Sequence, residues 1–117
     1  MGVLPSLRQK KRYIVFEVIA PAGASPLPAV SFADVQKEVQ QGLLSFLGEW
    51  GVAKAAPQLL PESWSAEKQR FIFRTNHNMA DQVKSALILI KSIKKGPVIL
   101  RSITTSGTLK KARGSLR

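Results

Sequence analysis

The stretch GPVILRSITTSGTLKKAR, residues 96–113, contains the last strand of the fold and a cluster of basic residues. The run from Val98 to Thr105 is rich in β-branched side chains, which suit the half-buried surface of a strand. Hydroxyl residues flank Gly107 directly after this run, a composition typical of a turn. The residues from Thr108 to Arg113 have helical character. The stretch therefore predicts a strand, a turn and one short basic helix.

Three kinds of residue in this stretch suit an anion. Ser106 and Thr108 can cap a helix or bind phosphate through their hydroxyls. Gly107 lets a backbone or a phosphate come close because it has no Cβ. Positive charge is supplied by Lys110, Lys111 and Arg113. We therefore expect an anion-binding site where the strand gives way to the helix.

Basic residues are concentrated towards the two ends of the sequence. The net charge is +11, and residues 1–16 carry four basic and no acidic side chains. Residues 17–81 carry five basic and seven acidic side chains, whereas residues 82–117 carry nine basic and none acidic, since Asp81 is the last carboxylate. A surface that serves solubility alone mixes both signs. The segregation therefore indicates a polyanionic partner, with an evenly solvating charge as the alternative.

The first half of the sequence predicts a strand followed by a helix. Residues 1–11 show no hydrophobic periodicity and are expected to form a flexible basic arm. Arg12 to Ile19 predicts a central strand, because its apolar residues fall on both faces. The prolines between Pro21 and Pro28 predict a loop. A capping signal at Ser31 and apolar residues at steps of three and four predict a helix over residues 31–47.

The second half predicts a hairpin, a second helix and the last strand. Val52 to Leu60 is interpreted as an edge strand, because Pro57 interrupts it. Residues 69–75 alternate with period two and are expected to pair with it across a long connection. Asn78 is the expected cap of a second helix that ends at a Lys-Lys-Gly-Pro sequence. Its core-facing residues are predicted to be Val83, Ala86, Leu87, Ile90 and Ile93.

The order strand, helix, strand, strand, helix, strand is that of the split βαβ, ferredoxin-like sandwich shared with RNA-recognition motifs. Right-handed crossovers place both helices on one face of a four-stranded antiparallel sheet. We therefore predict an α+β fold of this type, in one domain over residues 1–117, with residues 107–117 as a basic C-terminal segment. The other sheet face carries apolar residues, so we expect the C-terminal segment or a protein partner to cover part of it.

Four aromatic residues allow core or surface interpretations. Phe71 and Phe73 share one face of their strand, and packing in the core is favoured over stacking on bases. Trp50 continues the apolar stripe of the first helix and is predicted to lie in the core. Trp64 lies among turn residues and is predicted to be exposed, where it could anchor a partner.

Signals of an enzyme are weak. The sequence has no cysteine, and no carboxylates cluster with its one histidine, His77, at the spacing of metal ligands. His77 is interpreted as a surface or capping residue, with an RNA contact as the alternative. The scattered carboxylates form no evident acid and base pair. Neither a secretory signal nor an apolar run of membrane length is found, so we expect a cytoplasmic protein without a membrane partner.

Three motifs resemble the archaeal ribonuclease P protein component 2 family. They are KKRYIVFEV at residues 10–18, FLGEWGVAKA at residues 46–55 and SGTLKKAR at residues 106–113. The resemblance extends from about Leu7 to Arg113, and the motifs occur in the order of the family. The sequence departs from the family pattern in the proline-rich loop, at Pro57 and at Asn78.

The resemblance implies a subunit of the ribonucleoprotein that removes 5′ leaders from precursor tRNA. It implies that catalysis belongs to the RNA and its Mg²⁺ ions, and that this chain itself binds no cofactor. The implied partners are the ribonuclease P RNA, precursor tRNA in the complex, the barrel-shaped component 3 and other protein components. The implied RNA contacts are Lys10, Lys11, Arg12, Tyr13, His77, Ser106, Gly107, Thr108, Lys110, Lys111 and Arg113.

Two alternatives from other functional classes stay open. One is a structural adaptor of another ribonucleoprotein, such as a ribosomal module, that contacts only protein and is merely solvated by its basic ends. The other is a stand-alone nuclease that uses His77. Neither alternative accounts for the lack of acidic residues after Asp81.

Overall fold

A computed structural model describes residues 10–21, 30–93 and 96–116 of the chain. The predicted arm covers residues 1–11, of which residues 1–9 lie outside the described residues, and so do residues 22–29, which include most of the predicted loop. Lys10 and Lys11 are not part of a flexible arm, because Lys11 begins the first strand and the carbonyl of Lys10 accepts a hydrogen bond from the backbone of His77. No helix in the described part is long and apolar enough to cross a membrane. The helices and strands are β1 (Lys11–Ile19), α1 (Phe32–Ala55), β2 (Gln58–Leu59), β3 (Arg70–Asn76), α2 (Ala80–Ile88), β4 (Ser92–Ile93), β5 (Gly96–Pro97), β6 (Ile99–Ser106) and α3 (Leu109–Gly114).

Four strands form one antiparallel sheet in the order β2-β3-β1-β6. The central strand β1 pairs with β3 from Lys11 to Glu17 and with β6 from Tyr13 to Ile19. Helices α1 and α2 connect the strands in the predicted order, so the α+β, ferredoxin-like fold is confirmed. A small hairpin of β4 and β5, which the sequence did not predict, precedes β6.

The main core lies between the sheet and helices α1 and α2. Ile14, Phe16 and Val18 of β1 enter this core at every second position, as the alternation of a strand requires. Phe71 and Phe73 of β3 are also buried there, which confirms their predicted core positions. The rings of Phe16 and Phe71 stack with centroids 5.6 Å apart. Burial of each such side chain contributes roughly 1.5–3 kcal/mol to folding.

The opposite face of the sheet is partly covered by α3. Val15 and Ile72 are fully buried on this face, outside the main core. Ala112 of α3 packs against them, and Leu109 and Leu116 are partly buried beside it. The expectation that the C-terminal segment covers part of this face is therefore confirmed.

Helix α1 is longer than predicted, because the chain bends at Gly48 and then continues as a helix. Gly48 has φ 72° and ψ 173°, a conformation that is open to glycine because it lacks a Cβ. The second helical segment runs to Ala55, so the predicted strand from Val52 to Leu60 is wrong except at β2. Trp50 is 75% exposed and not in the core as predicted, since the bend moves it off the apolar stripe.

Trp64 packs against the core, which contradicts its predicted exposure. Its ring centroid lies 6.4 Å from those of Phe32 and Phe71. A 3₁₀ turn precedes it, and the hydroxyl of Ser63 in that turn accepts a 2.8 Å hydrogen bond from the backbone N–H of Ile72. This bond holds the loop against β3, so that the indole is directed inward.

Helix α2 is shorter than predicted and starts without the predicted cap. Asn78 is exposed in a 3₁₀ turn, and Met79 occupies the N-cap position without a side-chain hydrogen bond. The helix ends at Ile88, well before the predicted Gly-Pro stop, because the chain turns there towards β4. Ile90 and Ile93 are buried as predicted, although they now lie after the helix.

Candidate nucleic-acid interface

The start of β1 and the ends of β3 and β6 meet at one end of the sheet, because the strands are antiparallel. Tyr13 lies opposite Arg74 of β3 and opposite Ser106 of β6. The backbone N–H of His77 donates a 2.8 Å hydrogen bond to the carbonyl of Lys10. Predicted contacts that are far apart in sequence are thus neighbours in the fold. We call this region the basic end, and it comprises Lys10, Lys11, Arg12, Tyr13, His77, Ser106 and Gly107.

Lys11 is held at the basic end by Asn76. The Lys11 ammonium donates to the side-chain oxygen of Asn76, whose amide nitrogen donates to the carbonyl of Lys54 at 2.8 Å. The hydroxyl of Thr75 donates to the carbonyl of Ala55, also at 2.8 Å. Both carbonyls belong to the last turn of α1, where the helix itself supplies no donors. The end of α1 therefore supports the strand end next to Lys11.

Arg12 lies beside the turn that follows β6. Its Nη1 donates to the carbonyl of Lys11 at 3.1 Å, and a Cβ added to Gly107 would lie 3.7 Å from the same nitrogen. That distance is an ordinary contact, so packing within the described part of the chain does not require a glycine at position 107. The turn therefore leaves an open surface next to a guanidinium group.

The hydroxyls of Ser106 and Thr108 accept hydrogen bonds within the turn. Ser106 accepts from the backbone N–H of Thr108 at 3.2 Å, and Thr108 accepts from the backbone N–H of Lys111 at 3.3 Å. Thr108 is thus the N-cap of α3, which is one of its two predicted roles. Each hydroxyl can still donate its own proton to an acceptor. Phosphate binding at this turn stays a prediction.

The cations of α3 lie on its exposed side. Ala112 is fully buried against the sheet, whereas Lys110, Lys111 and Arg113 are exposed. Because α3 starts directly after the basic end and packs across the second sheet face, these cations extend the positive surface. We call the basic end together with Thr108, Lys110, Lys111 and Arg113 the basic surface.

One carboxylate lies on the described strands, and two arginines pair with it. Glu17 of β1 lies between Arg70 of β3 and Arg101 of β6. Arg70 Nε donates to one carboxylate oxygen at 2.8 Å, and Arg101 Nη2 donates to the other at 2.6 Å. Burial raises the pKa of Glu17, but the hydrogen bonds and charges of the two arginines outweigh it and lower this pKa below its ordinary value of 4.5. The three groups together carry a positive charge.

Arg74 belongs to this region, although the sequence did not assign it as an RNA contact. It lies on β3 opposite Tyr13 and Gln58. Its Nε is buried and has no hydrogen-bond partner in the described part of the chain. A buried donor without a partner is unfavourable. The alternation of Arg70, Ile72 and Arg74 was the available signal, because it places both arginines on the face of Ile72.

A second exposed surface, on α1 and α2, is apolar. Phe46 of α1 and Leu89 after α2 line one cleft together with Ala86 and Ile90, and we call this the helix cleft. Lys54 Nζ lies 5.0 Å from the ring centroid of the exposed Trp50. The side chains of Leu44, Phe46, Trp50, Ile88 and Leu89 are between 48% and 75% exposed. Exposed apolar side chains that lie together, as Phe46 and Leu89 do at the helix cleft, are typical of a protein-binding site.

Features of a catalytic or metal site are sparse in the described residues. They contain no group of three or more His, Cys, Asp or Glu side chains that could hold a metal ion. His77 is exposed, and its backbone joins the sheet through Lys10. The chemistry that the region offers is therefore hydrogen-bond donation and positive charge.

Comparisons with known proteins agree over nearly the whole chain. The model of the Rpp14/Pop5 family matches residues 12–117. Ribonuclease P protein component 2 of Methanocaldococcus jannaschii is 32% identical over 109 residues, which cover 93% of this chain and 74% of that protein. The Thermococcus kodakarensis protein of the same name is also 32% identical, over 93% of this chain and 84% of its own length.

Eukaryotic proteins are similar as well. The ribonuclease P/MRP protein subunit POP5 of Schizosaccharomyces pombe is 28% identical over 114 residues, covering 91% of this chain and 82% of its own length. A chain in the cryo-EM structure of yeast ribonuclease MRP superposes with a TM-score of 0.63 at 14% identity, over 93% of this chain and 87% of that chain. At that identity the superposition shows a shared fold.

Proposed function

The chain belongs to the Rpp14/Pop5 family, and on that premise we propose that it is a non-catalytic protein subunit of ribonuclease P. In this role it binds and stabilises the RNA that removes 5′ leaders from precursor tRNA, in the cytoplasm. The RNA holds the Mg²⁺ ions and carries out the cleavage. The protein thus takes part in tRNA processing through binding alone.

The basic surface is the observation that carries this proposal. Tyr13 and Ser106 are neighbours across the sheet, so the two cationic segments of the sequence converge. The side chains there offer ammonium, guanidinium and hydroxyl donors, the groups that most often contact phosphate oxygens. Phosphate contacts would position the protein on the RNA and screen the repulsion between its folded helices.

Catalysis by this chain is not part of the proposal, because the region lacks a poised acid and base pair. His77 is exposed beside Lys10, and Glu17 is held as a carboxylate by two arginines. A general acid or base needs a pKa close to the working pH. The lowered pKa of Glu17 moves it away from that range.

Binding to component 3 is the proposed role of the helix cleft. The exposed apolar side chains of α1 and α2 lie on the opposite side of the sheet from α3. A protein bound there would leave the basic surface free for RNA. Aromatic side chains such as Phe46 and Trp50 are typical anchors of protein interfaces. Size-exclusion chromatography of the chain mixed with component 3, before and after Phe46→Ser, tests this part of the proposal.

The test of the RNA-binding role is the affinity for ribonuclease P RNA as a function of salt. If about six cations contact phosphates, log affinity should fall against log salt with a slope near −4 to −5. A suitable probe is the in vitro transcript of the Methanocaldococcus jannaschii ribonuclease P RNA. Absence of binding at low salt, with component 3 present or absent, would contradict the proposal.

A protein-only adaptor of a ribonucleoprotein is the second candidate, and the helix cleft favours it. An adaptor would need the apolar surface of α1 and α2 but not the cations of α3. It would bind component 3 or another protein normally and show no salt-dependent affinity for RNA. The same titration therefore separates the two candidates.

A further inference from the structure

Arg70 joins the sheet to the end of α3 by hydrogen bonds. Its Nε donates to Glu17 at 2.8 Å, and its Nη1 donates to the backbone carbonyl of Ser115 at 3.0 Å. Ser115 is the residue that directly follows α3. The side chains of Arg70 and Glu17 are only 22% and 12% exposed. The pair therefore connects β1, β3 and the end of α3 from a position with little access to water.

Helix α3 depends on contacts with the rest of the fold. It has six residues, and a helix of that length is unstable in water by itself. Thr108 caps its start, and Ala112 with its apolar neighbours rests on the sheet. A cation near the last carbonyls of a helix is favoured by the helix dipole. Arg70 thus stabilises the end of α3 that lies away from the Thr108 cap.

The shape of the guanidinium group matters here as well as its charge. Arginine presents several donors in one rigid plane, whereas lysine carries a single ammonium on a flexible stem. A lysine at position 70 would keep the charge and could reach Glu17 or Ser115. It would not hold the two groups in a fixed relative position. Arg70→Lys therefore separates geometry from charge.

We propose that Glu17 and Arg70 are positioning residues that orient α3 so that its three cations face the RNA. Neither side chain contacts the RNA in this proposal, which rests on the RNA-binding function proposed above. A purely electrostatic account gives different results, because removal of the Glu17 charge makes the surface more positive and attracts a polyanion more strongly. For Arg70→Lys the electrostatic account predicts unchanged RNA affinity, because the net charge stays the same.

The test compares Arg70→Lys and Glu17→Gln with two matched controls. Arg101→Lys makes the same chemical change at the other arginine that binds Glu17. The side chain of Arg101 is 58% exposed, and it donates no hydrogen bond to α3 within the described residues. Glu49→Gln removes one negative charge from an exposed position on α1. Each protein is titrated with the Methanocaldococcus jannaschii ribonuclease P RNA at several salt concentrations. Amide hydrogen exchange of residues 109–116 is measured without RNA.

Both test variants should show faster exchange in α3 and RNA binding weakened roughly tenfold. The slope of log affinity against log salt should become shallower by about two, as expected when about two phosphate contacts are lost. The RNA affinity and the exchange rates of α3 in the two controls should stay within about twofold of those of the original protein. Arg70→Lys keeps the net charge, so it remains informative if Glu17→Gln also lowers stability.

Two results would overturn the positioning role. One is unchanged exchange in α3 of Arg70→Lys, which would show that Arg70 does not hold the helix. The other is faster amide exchange in α3 together with an RNA affinity that equals that of the original protein in Arg70→Lys or exceeds it in Glu17→Gln. If the original protein binds no RNA at all, the proposed function fails, and the positioning role fails with it even where exchange in α3 responds to Arg70→Lys.

Discussion

Tyr13 near the start of the first strand lies directly opposite Ser106 at the end of the last strand. This pairing brings Lys10, Lys11 and Arg12 next to the turn and basic helix that follow Ser106. Charges that are separated by some ninety residues of sequence therefore form one surface.

Replacement of Lys110, Lys111 and Arg113 together by alanine should weaken RNA binding without loss of stability. All three are exposed, so the melting temperature should change little. Three lost phosphate contacts would make the slope of log affinity against log salt shallower by about two to three. The matched control, Lys37, Lys68 and Lys91 to alanine, removes the same charge from other exposed positions. Equal effects in both triple variants would argue against a specific role for α3.

Two glycines should respond differently to alanine. Gly48 has φ 72°, so Gly48→Ala should destabilise the fold by roughly 1–3 kcal/mol. At Gly107 a new Cβ would meet, among the described residues, only Arg12 at 3.7 Å, so Gly107→Ala should change stability by less than about 0.5 kcal/mol. Its RNA affinity should nevertheless fall if the RNA backbone comes close to the turn. Urea unfolding and RNA titration measure the two effects, and unaltered RNA affinity of Gly107→Ala would exclude close approach at that turn.

The two tryptophans should separate folding from protein binding. Trp64 packs on Phe32 and Phe71, so Trp64→Ala should cost about 2–3 kcal/mol of unfolding free energy. Trp50 is 75% exposed, so Trp50→Ala should fold normally and bind component 3 more weakly. Denaturant unfolding and calorimetric titration with component 3 test both. Unchanged affinity in Trp50→Ala would remove Trp50 from the interface.

Glu17 should make stability depend on pH in the acid range. Burial raises its pKa, but Arg70 and Arg101 lower it further, so the folded pKa lies below the ordinary value of 4.5. A lowered pKa means that the ion pairs stabilise the fold above about pH 4.5 and that this contribution is lost as the pH falls through the folded pKa. Glu17→Gln should therefore cost about 1–3 kcal/mol near pH 7 and less near pH 3. A cost that is equal at both pH values would contradict the assignment.

The strands and the core could be predicted because their patterns are local. Alternation places Ile14 and Phe16 in one face of β1, and the same rule buries Phe71 and Phe73. The order of the elements then leaves few topologies, so the sheet order followed. The charge segregation along the sequence likewise predicted a basic surface.

What the sequence missed depends on backbone geometry and on pairs of residues far apart. The predicted helix ends at Leu47, but the positive φ of Gly48 bends the helix and lets it continue, which exposes Trp50. Arg70 and Glu17 are 53 residues apart, and no local pattern shows that one guanidinium joins both Glu17 and the end of α3. The burial of Arg74 Nε depends in the same way on the packing of separate strands.

The central claim is that the two cationic segments bind one folded RNA together, and photo-cross-linking tests it most directly. A photoreactive amino acid at position 77 and, in a separate protein, at position 107 would be cross-linked to ribonuclease P RNA, with position 49 on α1 as the control. The account predicts cross-links from positions 77 and 107 to the same folded region of the RNA and few from position 49. Cross-links from 77 and 107 to unrelated regions, or no more than from position 49, would contradict it.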